Sequence, residues 1–254
     1  MQTQEQKLKI ILTEQDFDVP HEQTATLERR KQLAQSYAET ENGIAVLSDF
    51  REGCSYIFSG GFGKILGLPD AGIKTSSAFE EEIFELIPPG ELMERHILEL
   101  RFFQLQKSLP VRERRYYGMI CSLHFRIAGH GDIPVLHRTF YLENLSNGSV
   151  WLALCLYTPF AESATGTLRE IIDNRDGQLM RAETYAHLDR QLLTPRETDV
   201  LKMLAKGMSS KQIAQALCLS VNTVYRHRQN ILAALQVSNT AAAVEIGLRI
   251  RLIP

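Results

Sequence analysis

The chain has little of what marks a secreted scaffold, a membrane protein or a metalloenzyme. It carries one tryptophan and four cysteines in 254 residues. Cys54, Cys121, Cys155 and Cys218 are scattered and form no Cys-x-x-Cys pair, which argues against a disulfide framework and a structural zinc site. They read as reduced thiols, three of them in apolar strand patterns where buried cysteine is ordinary. No apolar run reaches the roughly 18 residues of a membrane span. Met1-Gln2-Thr3-Gln4-Glu5-Gln6-Lys7 lacks the pattern of a signal peptide. The expectation is a cytoplasmic protein with no membrane contact. Net charge is only −2, so the chain as a whole has no strong pull toward nucleic acid.

Catalytic signatures are missing too. Gly60-Gly61-Phe62-Gly63-Lys64 resembles a phosphate loop, but no glycine stands five residues before Gly63, and Ile65 replaces the magnesium-binding hydroxyl. It reads as a turn opening a helix. There is no Gly-x-Ser-x-Gly elbow and no His-Glu-x-x-His. Glu80-Glu81-Glu82 sits at a helix start, where the dipole favours acids, and reads as that. No metal-ligand spacing joins the histidines and cysteines. The expectation is a non-enzyme with no metal and no cofactor, the residues of any cofactor site being unknown.

What is present is concentrated in the last sixty residues. Thr194-Pro195-Arg196-Glu197 is a capping box with proline at the first helical position. Val200, Leu201 and Leu204 follow at helical spacing, and Gly207 is a left-handed stop. Ser209 or Ser210 caps a second short helix with Ile213, Ala214 and Leu217 inward. Ser220 caps a third, its hydroxyl in reach of the Thr223 N–H. Two short helices joined by so tight a turn match a helix-turn-helix.

The third helix carries the chemistry. Val221, Val224, Ile231 and Leu235 fall on one side and pack inward. Asn222, Tyr225, Arg226 and Gln229 share the opposite face. Arginine can bond guanine O6 and N7, asparagine and glutamine can pair with adenine, and tyrosine can meet a thymine methyl or a phosphate. Thr223, His227 and Asn230 form a flanking stripe suited to phosphates. Ser209, Ser210 and Lys211 offer N–H groups and a cation at the second helix start. A merely solvated face would more often carry Glu/Lys pairs, and no acid occurs from Ser220 to Leu235.

These residues resemble the C-terminal domain of LuxR-type response regulators, a four-helix helix-turn-helix. The match runs from about Leu193 to Leu248. It includes Leu-Thr-Pro-Arg-Glu at 193–197, Ser-Lys-Gln-Ile-Ala at 210–214, Leu-Ser-x-x-Thr-Val-x-x-His at 219–227 and Asn-Ile-x-x-x-Leu at 230–235. Tyr225 departs from the Lys or Arg common after Thr-Val; Arg226 and Arg228 are placed to restore that charge. The resemblance implies double-stranded DNA as partner. It also implies dimerisation through a last helix beginning near Ser238 or Asn239, where Ala241, Ala242, Ala243 and Ile246 are small or apolar. Read without the resemblance, that stripe only closes the four-helix core.

Charge supports the division. From residue 193 onward, eight Lys and Arg against three Asp and Glu give net +5, leaving −7 for residues 1–192. A basic module on an acidic body is expected when one domain meets DNA.

Residues 22–41 are rich in helix formers, with Leu27, Ala34 and Tyr37 or Ala38 as a weak stripe. Strand patterns follow at Gly43 to Phe50 and Cys54 to Phe58, around Arg51-Glu52-Gly53. Helices are expected at Gly60 to Leu68, Phe79 to Ile87 and Glu91 to Ser108. Three strands follow at Tyr117–Ala128, Val135–Leu145 and Val150–Thr158, the last two joined by a turn at Asn147-Gly148. Thr167–Ile172 and Gln178–Arg181 flank Asn174-Arg175-Asp176-Gly177 as a further small hairpin. His124 and His137, in strand patterns, are expected to face solvent or pair across the sheet.

Two strands, a helical middle and three antiparallel strands resemble a PAS domain. So do Ser55-Tyr56-Ile57-Phe58-Ser59 with Leu66-Gly67-Leu68, and Phe84-Glu85-Leu86-Ile87-Pro88-Pro89. The resemblance covers residues 42–160 and implies a sensory or protein-interaction module. The Asn-Cys-Arg-Phe-like motif of a flavin photosensor is absent. His96 is the one candidate haem ligand, more ordinarily a surface or partly buried histidine with a hydrogen bond. Receiver and lactone-binding domains are disfavoured: residues 117–158 do not alternate strand and helix, and Trp151 is the sole tryptophan.

The expected fold is α+β: an N-terminal helical extension (1–41), a PAS-like antiparallel sheet with helices (42–160), a hairpin and linker (161–192), and an all-α four-helix LuxR-type domain (193–254). The expected function is a bacterial transcription regulator that couples a sensory domain to operator binding as a homodimer. An unidentified ligand or protein would meet the PAS-like domain, and RNA polymerase is a further candidate contact. The alternative is a sigma-like RNA polymerase factor, which would need a basic, aromatic helical domain upstream; the acidic, strand-patterned region argues against it. A metabolite-binding protein that has lost DNA binding is opposed by Lys211, Arg226 and Arg228.

Overall fold

The computed structural model describes residues 4–17, 24–68, 72–161, 168–180, 184, 192–235, 237, 239–249 and 252–254. Thr167 and Arg181 at the hairpin ends, Ser238, and half of the expected 161–192 hairpin and linker lie outside the described residues.

An antiparallel sheet organises residues 44–179. Strands β1 (Ile44–Asp49) and β2 (Cys54–Ser59) pair around a turn at Gly53, which takes φ +64°. The Asp49 carboxylate accepts the Arg51 and Glu52 backbone N–H groups, each at 3.1 Å. Helix α3 (Gly61–Ile65), strand β3 (Ile73–Thr75), helix α4 (Glu81–Phe84), helix α5 (Pro89–Ser108) and helix α6 (Val111–Arg114) follow. Pro89 opens α5 at the position where its missing N–H costs nothing. Then come β4 (Tyr117–Ile127), β5 (Gly131–Asn144), β6 (Val150–Pro159), β7 (Arg169–Asp173) and β8 (Gln178–Leu179). The strand order is β3-β2-β1-β6-β5-β4-β7-β8.

The central strands are buried on both faces. Helix α2 (Thr24–Thr40) sets Ala34 and Ala38 against Ala45, Leu47, Leu152, Leu154 and Leu156. Helix α5 and its neighbours cover the other face, with Ile97 and Phe102 in the cluster that holds Val46, Met119, Leu123 and Phe125. This double cover explains why β1 and β6 read as near-continuous apolar runs.

Several details lay beyond the sequence pattern. Helix α1 (Gln4–Thr13) lies against α5 and buries Leu8 and Leu12. Gln15 then brackets the Val150 backbone, donating to its oxygen at 3.1 Å and accepting from its N–H at 2.9 Å. The β7–β8 hairpin, placed by the sequence in the 161–192 segment outside the PAS-like domain, pairs with β4 from Tyr117↔Asp173 to Cys121↔Arg169. At the β5–β6 turn only Gly148 takes positive φ, at +83°.

The solvent-facing reading of His137 is corrected. Its side chain is fully buried, stacked on Tyr157 at 4.4 Å between ring centroids. It does pair across the sheet, opposite Cys121 on β4 and Tyr157 on β6. Period two places Val135, His137, Thr139 and Tyr141 inward; a partly polar interior hid which side was in. His124 stays partly exposed, its ring on Glu91 at 2.9 Å.

Four helices form the C-terminal module: α7 (Pro195–Ala205), α8 (Ser210–Leu217), α9 (Val221–Ala234) and α10 (Thr240–Arg249). Val200, Leu201, Ile213, Val224, Ile231, Leu235, Ala243 and Ile246 are buried among them. The whole is an α+β layout, an antiparallel sheet domain followed by a helical one. Among the described residues no helix is long and apolar enough to cross a membrane.

Candidate nucleic-acid interface

Each helix of the C-terminal module is started by its own sequence. Thr194 and Glu197 form a reciprocal capping box at α7, and Ser209 with Gln212 repeats it at α8. At α9 the Ser220 hydroxyl accepts the Thr223 N–H at 3.0 Å. Asn239 does the same for Ala242 at 3.0 Å before α10. Between α7 and α8, Gly207 turns the chain at φ +76°. Cys218, after α8, takes φ +53°, a left-handed conformation unusual for a residue with a Cβ. That residue closes the turn of the helix-turn-helix, and its type gave no warning of its role.

Burial sorts α9 into two faces. Val224, Ile231 and Leu235 are buried, while Val221 is half-buried. Asn222, Tyr225, Arg226 and Gln229 are all exposed, Tyr225 at 53%. Their spacing spans two turns, about 10 Å along the axis, a length that fits a major groove. Lys211 is also exposed, at the start of α8.

The other expected site residues are held within the module. Arg228 donates to Ser210 Oγ at 2.8 Å and to Thr240 Oγ1 at 2.7 Å, joining three helices. Asn230 donates to Glu197 Oε1 at 3.0 Å. Thr223 Oγ1 lies 2.8 Å from Ser220 Oγ, and Ser210 is buried. His227 is half-buried, and its Nδ1 has no hydrogen-bond partner. Arg196, which the sequence did not single out, caps α8 by donating to the Leu217 carbonyl at 3.1 Å. On α10, Ala243 and Ile246 are buried, whereas Ala241 and Leu248 are exposed.

A group of buried polar side chains lies inside the sheet domain. Arg95 is 1% exposed; its Nη1 donates to Glu99 Oε2 at 2.5 Å and its guanidinium stacks 4.7 Å from the Phe84 ring. Burial opposes the Arg95 charge, but Glu99 and Glu80 outweigh it and hold its pKa well above the ordinary value. Burial pushes the Glu99 carboxyl up against the pull of Arg95. His137 bridges Cys121 Sγ at 3.4 Å and Thr139 Oγ1 at 3.2 Å. Burial, then the Arg95 charge, hold His137 and His96 well below ordinary imidazole values, so both are neutral. Burial also pushes the Cys121 thiol up to about 12, which leaves it unreactive.

The expectation for His96 is corrected in the same way. It is buried, edge-on to Phe84 at 5.3 Å, and its Nε2 lacks a hydrogen-bond partner. It lines a groove of about 360 Å³ with Pro88, Leu92, Met93 and Arg126. No group of three or more His, Cys, Asp or Glu side chains among the described residues could hold a metal ion.

Residues 191–246 match the family model described as bacterial regulatory proteins, luxR family. Over 74 residues the chain is 36% identical to the response regulator protein VraR of Staphylococcus saprophyticus and to that of Staphylococcus aureus. The alignment takes in 29% of this chain and 33% of each relative, so the chain spans about a third of the length of the curated relatives it matches. Among solved structures, the phage VqmA–DPO complex aligns over 89% of this chain and 90% of its own, at 14% identity and TM-score 0.29. A Vibrio cholerae VqmA dimer without target DNA covers 87% and 86%, at 14% identity and TM-score 0.28. Escherichia coli SdiA covers 67% and 94%, at 16% identity and TM-score 0.27. The family match coincides with the four helices, which form a LuxR-family helix-turn-helix domain.

Proposed function

We propose that this LuxR-family domain reads an operator in double-stranded DNA, and that the chain is a transcription regulator acting as a homodimer. The observation that carries the reading is the division of α9. Its apolar side is locked into the module, while Asn222, Tyr225, Arg226 and Gln229 stand free on the other. Arg226, Gln229 and Asn222 address base edges, and Tyr225 a thymine methyl or a phosphate. Lys211 and the N–H groups after Ser209 meet phosphate at the start of α8. Arg228, Asn230 and Ser210 hold the reading helix in place. Thr223 and His227 flank it, toward the DNA backbone.

The PAS-like sheet domain is the sensor or interaction module. Its signal would shift the population between arrangements that can and cannot set two α9 helices on successive half-sites. The exposed Ala241 and Leu248 side of α10 is the dimer contact of the DNA-bound form. The staphylococcal relatives, named response regulators, support a regulatory role for the matched segment.

Capture of genomic fragments by the purified full chain, at moderate and raised salt, tests this reading. A short two-fold symmetric site, enriched and then lost as salt rises, is the expected result. Enrichment of no sequence by either the full chain or its C-terminal segment would overturn it.

A further inference from the structure

His227 is the one histidine from residue 193 onward. On α9 it has the buried Val224 and Ile231 as its neighbours along the helix and the exposed Arg226 beside it. Its two ring nitrogens meet different surroundings. Nδ1 is buried on the module side with no hydrogen-bond partner. Nε2 is not enclosed, and among the described residues no hydrogen bond engages it. One turn further along α9, Asn230 is bonded to Glu197. That carboxylate lies close enough to feel the His227 charge.

Three helices pack on α9, and each brings its own charges. From α7, Glu197 is turned toward it, while Arg196 is turned away onto the Leu217 carbonyl. Helix α8 carries one charge, Lys211, exposed at its start. Helix α10 opens on Thr240, which already holds Arg228, and its Glu245 is exposed. On α9 itself Arg226 and Arg228 adjoin His227, and no acid occurs from Ser220 to Leu235. A neutral imidazole has one N–H and one bare lone pair. With Glu197 on the module side and a DNA phosphate on the other, either neutral tautomer turns its lone pair toward an anion. Only imidazolium presents an N–H to both. The neighbouring arginines oppose that charge in the free protein, and a phosphate offsets them.

We propose that His227 meets a backbone phosphate as imidazolium, so that DNA binding takes up one proton from solvent. The proposal rests on the reading of α9 as the DNA-facing helix and names a regulation of that same face. Imidazole ordinarily changes charge between about pH 5 and 8, so acidification within that range tightens binding. A phosphate contact positions the protein but carries no base information. Affinity therefore shifts for all sequences alike, while the preference set by Asn222, Arg226 and Gln229 does not. The linkage is reciprocal: bound DNA holds the proton on His227.

Fluorescence anisotropy with a labelled duplex of mixed sequence tests this, because a backbone contact does not depend on sequence. The full chain is compared with its His227→Gln and His227→Lys variants at about pH 8 and about pH 6, with salt varied at each. The parent should bind at least about threefold more tightly at the lower pH. Its salt slope should steepen by about 0.9, the mark of one further phosphate neutralised. The Gln variant should lose that difference and keep the shallow slope. The Lys variant, charged throughout, should show the steeper slope at both pH values. All other histidines are common to the three proteins, so the contrast belongs to residue 227. A pH dependence shared by the parent and either variant would overturn the proposal while leaving DNA binding standing. No binding by any of the three at either pH would strike the proposed function, and this proposal with it.

Discussion

The Asn230 amide donates to Glu197 Oε1 at 3.0 Å, so α9 is bonded to the first turn of the helix that opens the module. The other carboxylate oxygen of Glu197 accepts the Thr194 backbone N–H at 2.9 Å. One buried carboxylate therefore serves a helix start and a helix–helix contact together.

That carboxylate should give the module a pH signature. Burial alone would raise the Glu197 carboxyl, but the Thr194 backbone N–H, Asn230 and the Thr194 hydroxyl together hold it below its ordinary value of 4.5. A depressed folded pKa contributes stability that is complete above the ordinary value and is lost as pH falls through the folded one. Urea denaturation below about pH 5 should show this decline in the parent and a flatter one in Glu197→Gln. Parallel curves would refute the assignment.

The exposed side of α9 should carry specificity without carrying stability. Arg226→Ala and Gln229→Ala should each weaken binding to the captured site by about 1–3 kcal/mol and relax base preference at one position. Their melting temperatures should match the parent, because both side chains are exposed. Fluorescence anisotropy at fixed salt, alongside thermal melts, checks both halves of the claim.

Arg228 should behave in the opposite way. Its fork reaches Ser210 and Thr240 at once, which a lysine ammonium on a flexible stem does not reproduce. Arg228→Lys should cost about 1–2 kcal/mol of stability and weaken binding to all DNA sequences alike. A variant as stable as the parent that loses preference at one base would place Arg228 in the groove instead.

Two left-handed positions make a matched pair. Gly207→Ala meets no neighbouring atom within 4 Å, so its cost is backbone strain alone, about 1–2 kcal/mol. Cys218→Gly releases the strain already present at φ +53° and should raise the melting temperature. Shifts of the same sign in the two variants would contradict this account of the turns.

Much of the C-terminal module was legible in the sequence because its determinants are local. A cap, a proline at the first helical position and a glycine stop act within a few residues, and helical period fixed which side of α9 turns inward. The three strands β4, β5 and β6 were legible for the same reason: alternation and turn residues are short-range signals, whereas their place in the sheet was not. Tertiary structure decided the rest. Only packing could set Arg228 between Ser210 and Thr240, join Glu197 to Asn230, or add β7 to the edge of β4. Only packing could bury His137 and His96, since their polarity disguised an inward face. The interior group of Glu80, Arg95, Glu99 and Tyr157 spans a loop, a helix and a strand. No periodicity links such distant residues, and only the tertiary structure brings them together.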